Sequence, residues 1–435
     1  NTKKQIIKEN KFEIAIIDDK SQKNIIKNYC KKIIDINSPE LLRNIKEINN
    51  LHNLNKKLNL GKNILNIYTS GTTDQPKKVS HSLFNLLNNA QEFSKIVGIN
   101  KENRFINFLP MNYLGGYYNL LLIPFFNGSS IFIDNVFSFK TLSNLKKNIS
   151  DFKINTLWLT PSICRILLEK YSKNSEIKIL KNNIRLALVG MDHVNSDLKE
   201  NFKEKFNLRL LENYGLSETL FVSSESIKDK FFSSGKLLRS VKIKINNRNK
   251  ELIVKSPFIS KNFSKKNFKT GDQAEFEKYL KINGRLKDII IRGGVNINPY
   301  DIESVLIKLK GINEISVFGK RDEIFNTEKI IAAIVTNENF NEKNFWNFAN
   351  TYLPTNLVPQ DLIYIQNLPK TFSGKVKKSL LKEISLEDEF SEKKIHSKTN
   401  KDISFSKDIE LIKPPISVSI NDKVYELKRK NKKIT

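Results

Sequence analysis

Between residues 153 and 212 the chain alternates short apolar runs with helix-spaced stretches, and that rhythm restricts the fold more than any other feature. Residues 155–159, 184–189 and 208–211 read as strands, and residues 162–171 and 196–206 as helices. Apolar strands each followed by a helix predict parallel βα units, an α/β fold with the sheet covered by helices. In such sheets ligands bind beyond the carboxyl ends of the strands. The loop Asn213-Tyr214-Gly215-Leu216-Ser217-Glu218-Thr219 is expected just past one of them.

A second stretch, upstream, carries chemistry. An apolar run at 64–68 reads as a short buried strand and leads into Thr69-Ser70-Gly71-Thr72-Thr73-Asp74-Gln75-Pro76-Lys77-Lys78. Gly71 admits torsions closed to other residues, so successive N–H groups can point into one concavity. Ser70, Thr72 and Thr73 add hydroxyl donors and Lys77 adds a charge. This is an anion cradle suited to nucleotide phosphates, although it is not the GxxxxGK[ST] loop. His81-Ser82 then opens a helical stretch to Phe93. The positive end of its dipole would face the cradle.

Elsewhere the pattern changes. Residues 12–17 read as a strand and residues 21–60 show helical spacing, as in Leu41, Leu42, Ile45 and Ile48. From 233 to 283 short strands and turns suggest an antiparallel subdomain, ending at Thr270-Gly271-Asp272 and Asn283-Gly284. A helix is expected over 299–309, and residues 313–387 read as a small α+β unit carrying Ser373-Gly374-Lys375. The expected division is a large domain over 1–285, a small mobile C-terminal domain over 286–388, and a basic tail over 389–435 that is either a hairpin or disordered.

Net charge is +28, from 74 Lys and Arg against 46 Asp and Glu, which would suit nucleic acid or an anionic surface. The lysines are spread along the whole chain, however, and no recognition module accompanies them. Specific nucleic-acid binding is therefore not expected, and the charge reads as a solvated surface. Cys30 and Cys164 form no CxxC pair and the four histidines show no metal-ligand spacing, so a reducing, cytoplasmic setting is the simpler expectation. The apolar run at 120–126, broken by Pro124, is too short to span a bilayer, and no signal-peptide core follows Asn1.

Taken together, these motifs resemble the adenylate-forming (AMP-binding) superfamily over about residues 64–382, nearest to short bacterial acyl-CoA ligases of the o-succinylbenzoate-CoA ligase group. The family's TSGTTGxPKG matches residues 69–78, with Asp74 and Lys78 replacing two glycines; Lys77 matches the lysine that contacts the β and γ phosphates. The family's YGxTE matches Tyr214-Gly215-Leu216-Ser217-Glu218. The resemblance implies that Tyr214 stacks on adenine, Asn213 bonds the base edge, Ser217 reaches the α-phosphate and Glu218 ligates Mg²⁺. It further implies that Asp272 accepts both ribose hydroxyls, that Arg285 lies near ribose and phosphate, and that Lys287 is the hinge. Gly293 and Gly294 would line a thiol tunnel, and Lys375 would bridge the substrate carboxylate and the α-phosphate.

The acid pocket implied by the resemblance draws on Tyr113, Gly116, Gly190 and Met191. Met191 should narrow it and Asp192 make it more polar, while His193 reads as a loop histidine. No Asp lies between Met111 and Tyr118 to pair a substrate ammonium, which disfavours an α-amino acid. The expected activity is an ATP- and Mg²⁺-dependent ligation of a small carboxylic acid to CoA. The alternatives are acylation of a carrier protein's phosphopantetheine, or a degenerate nucleotide-binding protein in which Asp74, Lys78 and Met191 have removed activity. The sequence leaves open which acid is used and the oligomeric state.

Overall fold

A computed structural model of the chain describes residues 12–17, 26–35, 63–69, 77–229, 232–263, 266–292, 294–322, 327–370 and 376–383. At the start β1 (Phe12–Ile17) pairs in parallel with β2 (Cys30–Asp35). The helical spacing expected over 21–60 fails at β2, where pairing with β1 overrides a weak local pattern. Leu41, Leu42, Ile45 and Ile48 lie outside the described residues. Next, β3 (Asn63–Thr69) and β4 (Lys77–Ser82) form an antiparallel hairpin in which Thr69 faces Lys77. The run at 64–68 is thus a strand, but not a buried one: Leu65, Ile67 and Tyr68 are half-buried and Asn66 is exposed. A hairpin arm with one partner strand keeps one side toward solvent.

α1 (Leu83–Val97) follows at once. Ser82 caps it by accepting the Asn85 N–H, and Gly98 at φ +82° closes its far end. The central sheet is built from β5 (Arg104–Asn107), β6 (Ser130–Ile133), β7 (Thr156–Leu159), β8 (Leu186–Val189), β9 (Leu210–Leu216), β10 (Leu220–Ser224) and β11 (Lys236–Leu237). Its spatial order is β11-β10-β9-β8-β7-β5-β6. The five strands from β6 to β9 run parallel, and β10 pairs antiparallel with both β9 and β11. Every residue of β7 and β8 is buried, as a sheet covered on both faces requires. A π-helical turn (Gly115–Leu122) running into α2 (Ile123–Phe126), then α3 (Phe139–Asp151), α4 (Pro161–Lys170), α5 (Asn174–Asn183) and α6 (Ser196–Phe206) supply the helices. α5 escapes the sequence reading because its sequence is mostly Asn, Lys and Glu and it fully buries only Leu180.

Phe93 of α1 stacks on Trp158 of β7 and Phe221 of β10, with ring centroids 5.2 and 4.1 Å apart, so one helix face is pinned across the sheet. Under β9 lies a buried ionic network. Lys199 of α6, 1% exposed, reaches Glu212 at 2.6 Å and Glu225 at 3.2 Å, and donates to the Ser233 carbonyl. Burial raises the Glu212 pKa, with Lys199 opposing. The network ties α6 to the strand that carries Asn213 and Tyr214.

As expected, the next strands are antiparallel: β12 (Lys242–Ile245), β13 (Glu251–Lys255), β14 (Phe268–Phe276) and β15 (Leu280–Arg285) form one sheet in that order. The large apolar core runs from Leu86 to Leu280. A separate core begins at Ile290. It gathers the hairpin β16 (Ile290–Arg292) and β17 (Val295–Ile297), α7 (Pro299–Leu306), and the sheet of β18 (Ile312–Asp322), β19 (Thr327–Thr336) and β20 (Asp361–Tyr364). α8 (Glu342–Tyr352) packs into this core, and α9 (Lys378–Lys382) packs on a smaller cluster against β18. The fold is therefore α/β with a large N-terminal domain, an antiparallel subdomain and a small α+β C-terminal domain. Among the described residues, the contacts that join the domains include His193 stacked on Tyr300 at 4.2 Å, Asp197 paired with Lys308 at 2.8 Å, and Asn298 donating to the Asn283 carbonyl. The 389–435 tail lies outside the described residues.

Candidate active site

The parallel strands bring several predicted residues to one edge. β5, β8 and β9 all end there, so the segments that follow Asn107, Val189 and Leu216 meet at the carboxyl side of the sheet. Asn213 to Leu216, expected in a loop, lie within β9 itself, and β9 turns through Ser217–Thr219 into β10. The reason is local. The Thr219 side chain accepts the Leu216 N–H, and Gly215 lets the β10 backbone approach so closely that a Cβ there would sit 2.3 Å from the Leu220 carbonyl oxygen.

Tyr214 donates its hydroxyl to Asp272 Oδ2 at 2.7 Å, and Arg285 Nε lies 2.9 Å from Asp272 Oδ1. Asp272 is 3% exposed. Thr270, Gly271 and Asp272 sit inside β14 rather than in a turn. Gly271 at φ +73° and a register irregularity against β13 bulge the strand and aim the carboxylate inward. Burial, reinforced by Asp272, raises the Tyr214 pKa. Burial works against the Arg285 cation, but Asp272, Tyr214, Tyr300 and Asp288 together outweigh it and its pKa rises. Asn213 is also buried, yet its amide donates to the Val189 and Leu211 carbonyls, so in this arrangement it fixes β9 to β8 rather than presenting a donor to a base.

The phosphate-loop hairpin is fastened to the same turn. His81 Nε2 lies 2.7 Å from the Ser217 carbonyl oxygen, and burial lowers its pKa. The Ser80 N–H donates to Ser260 Oγ, whose own N–H donates to the Glu218 carbonyl at 2.8 Å. Asn262 donates to the Lys78 carbonyl. Ser70 to Pro76, including Gly71, Thr72 and Thr73, lie outside the described residues, as does the side chain of Thr69; the pairing of Thr69 with Lys77 sets where that loop leaves and returns. The Glu218 carboxylate and the Ser217 hydroxyl take no bond from any described residue. No group of three or more His, Cys, Asp or Glu side chains among the described residues can hold a metal, so a cation here would rest on Glu218 and on nucleotide oxygens. One carboxylate plus phosphate oxygens and water suits Mg²⁺.

Next to β9, β8 is followed by Gly190 and Met191. A Cβ on Gly190 would meet Asn213 at 2.5 Å, so Gly190 is where β8 and β9 close up. Met191 has φ +73°. A Cβ on Gly115 would lie 2.5 Å from the Tyr113 ring and 2.6 Å from Met191 Sδ, so Tyr113 and Met191 converge over Gly115. Gly116, the predicted pocket glycine, instead turns into the Leu109 and Pro110 carbonyls. Gly115 is thus the glycine in contact with Tyr113 and Met191, a contact that depends on two strand ends meeting. Burial and Asp192 raise the Tyr113 pKa. His193 is more than a loop histidine: half-buried against Tyr300, it has its pKa pushed down to about 4 by burial, with Asp192 opposing.

From the small domain, Lys287 lies in the 3-10 turn Leu286–Asp288 between the two cores. Gly294, at φ +79°, forms the β16–β17 turn; Gly293 beside it lies outside the described residues. So does Lys375, but its loop is closed by the Lys370–Val376 bridge and a bond from the Lys377 N–H to the Pro369 carbonyl. Lys378, three residues on, pairs with Glu303 at 2.7 Å and lies over the Tyr300 ring that stacks on His193.

Comparison with known proteins shows the family. The AMP-binding enzyme model matches residues 4–259, and the AMP-binding enzyme C-terminal domain model matches residues 301–375. The first match alone spans more than half of the chain, and the chain belongs to the AMP-binding enzyme family. Among curated proteins, the 2-succinylbenzoate–CoA ligase of Listeria monocytogenes serotype 4b is 28% identical over 334 residues, covering 73% of this chain and 69% of that one. The Staphylococcus epidermidis enzyme of the same name is 26% identical, covering 78% and 75%. In fold, the chain resembles ATP-bound MatB from Rhodopseudomonas palustris (TM-score 0.74, 21% identity, 87% and 80% covered). It also resembles o-succinylbenzoate CoA synthetase (MenE) from Bacillus subtilis with its acyl-adenylate (TM-score 0.73, 23% identity, 88% and 81% covered).

Proposed function

We propose that the protein is an ATP-dependent acid–thiol ligase that forms an acyl-adenylate from a carboxylic acid and passes the acyl group to CoA. The observation that carries this reading is the bonded series Arg285–Asp272–Tyr214 on β14, β15 and β9, continued through the Ser217–Glu218 turn to the phosphate-loop hairpin. In this reading it supplies, in order, a ribose acceptor, an aromatic face, a hydroxyl, a carboxylate that no described residue pairs, and the arm that returns from the anion cradle.

In this reading Asp272 holds the ribose hydroxyls and Tyr214 lies against adenine. Thr69, Ser70, Gly71, Thr72, Thr73 and Lys77 hold the β and γ phosphates. Ser217 bonds the α-phosphate, and Glu218 holds Mg²⁺, which offsets phosphate charge when bound. The acid lies between Tyr113, Gly115, Gly190 and Met191, its carboxylate toward the α-phosphate. Its oxygen attacks phosphorus, pyrophosphate leaves, and Lys375 bridges the two anions, gaining most where charge develops in the transition state. The small domain then turns about Lys287, withdrawing Lys375 and bringing Gly293 and Gly294 to the cleft. There the thiolate attacks the acyl carbon and AMP leaves. Cys30 and Cys164 are free thiols, which supports a cytoplasmic setting. Among the described residues no helix is long and apolar enough to cross a membrane.

Acylation assays with a panel of acids, offering either CoA or a phosphopantetheinylated carrier protein, test the acceptor. Acyl-CoA formation with an untouched carrier is the expected result; exclusive carrier acylation would assign the second step to a protein partner.

A further inference from the structure

The bond between His81 and Ser217 has no role in the chemistry above, yet it joins the two halves of the triphosphate site. We propose that His81 is a positioning residue that holds β4, the strand that begins at Lys77, against the Ser217–Glu218 turn, so that one triphosphate can be held by Lys77 and by that turn. This inference rests on the assignment of those two segments to ATP.

His81 is fully buried and stands four residues after Lys77, on the returning arm of the loop hairpin. Its Nε2 lies 2.7 Å from the Ser217 carbonyl. A carbonyl only accepts, so Nε2 carries the proton and donates. Nδ1 is buried with no hydrogen-bond partner among the described residues. Buried polar atoms are rarely left unpaired, so the ring is held here at a cost for the sake of the Nε2 bond. A parallel strut supports it: the Ser80 N–H reaches Ser260 Oγ at 3.0 Å and the Ser260 N–H reaches the Glu218 carbonyl at 2.8 Å. Two successive residues of β4 are thereby bonded, directly or through one serine, to the two successive residues that are to meet the α-phosphate and the cation. The ribose corner, Tyr214–Asp272–Arg285, is held by separate bonds.

That separation gives the test. ATP affinity in the presence of Mg²⁺ and adenosine affinity are measured, by calorimetry and saturation-transfer NMR, for the wild type and for H81L, H81Q and H81N, with melting temperatures alongside. Loss of one buried donor should weaken ATP binding by H81L about fivefold to twentyfold and leave adenosine binding unchanged. Glutamine places an amide near Nε2 and should restore ATP affinity to within about threefold, whereas the shorter asparagine should not. If H81L does not fold, the glutamine–asparagine pair carries the comparison. Equal ATP affinity in all variants, parallel loss of ATP and adenosine, or no difference between glutamine and asparagine would overturn the inference while leaving the ligase reading intact. A wild type that binds no ATP would overturn both.

Discussion

The corner proposed for the nucleotide and the corner proposed for the acid stand at the ends of adjacent strands, β9 and β8, and are made in different ways. In the first, polar side chains are bonded to one another or to backbone: Tyr214 to Asp272, Asp272 to Arg285, and His81 to the Ser217 carbonyl. The acid corner is shaped by bulk. Tyr113 and Met191 crowd over Gly115, and Gly190 lets the two strands close. A preformed hydrogen-bonded corner selects by chemistry and tolerates little change. A corner shaped by apolar bulk selects by size, and can differ between relatives without disturbing the rest.

The largest effect should come where the two corners meet. Lys375→Ala is expected to slow acid-dependent adenylation by roughly 10²–10³-fold. Transfer from added acyl-adenylate to CoA should be spared, as measured by single-turnover thioester formation. Next comes Asp272→Asn, which leaves the Arg285 cation without its carboxylate. Because hydrogen bonds to charged groups are worth about 1.5–3 kcal/mol, ATP affinity should fall roughly 10- to 100-fold, with the acid KM little changed. On the acid side the pattern should reverse. Gly115→Ala places a methyl against Tyr113 and Met191, and should raise the acid KM while sparing that of ATP. Met191→Ala should relieve it and shift preference toward bulkier acids by about 10- to 200-fold, the range that a pocket of this kind commands. If either glycine or methionine variant altered ATP affinity instead, the two corners would not be separable.

The smallest effect concerns pH. The His193 pKa is lowered from 6.5 to about 4 in the folded protein, first by burial. The unfolded chain therefore binds the proton more readily, and stability should fall as pH drops from about 6.5 toward 4, levelling off below. His81 shifts in the same direction. Urea melts of wild type and His193→Asn across that range measure it. The asparagine variant should show a shallower slope.

Most of the corner proposed for the nucleotide could be read from the sequence because its residues fall in short contiguous motifs, and the strand–helix alternation at 153–212 predicted one of those motifs, residues 213–219, at a strand end. What escaped depended on pairing between distant segments. Cys30–Asp35 became a strand through β1, and Thr270–Asp272 entered a bulged strand through β13. Asn213 was turned toward Val189 by the closeness of β8 and β9. Gly115 rather than Gly116 meets Tyr113 and Met191, because three-dimensional packing decides which neighbours each of two adjacent glycines has. The Lys199–Glu212–Glu225 network likewise joins α6 to two strands, and no local pattern announces it.

The central claim is that this cleft activates a carboxylate on ATP before any thiol takes part. Exchange of labelled pyrophosphate into ATP, run over a panel of carboxylic acids with Mg²⁺ and without CoA, tests it most directly. The account predicts exchange that requires an acid from the panel and is lost in Lys375→Ala. Bound ATP with no exchange for any acid, or exchange that persists undiminished in Lys375→Ala, would contradict it.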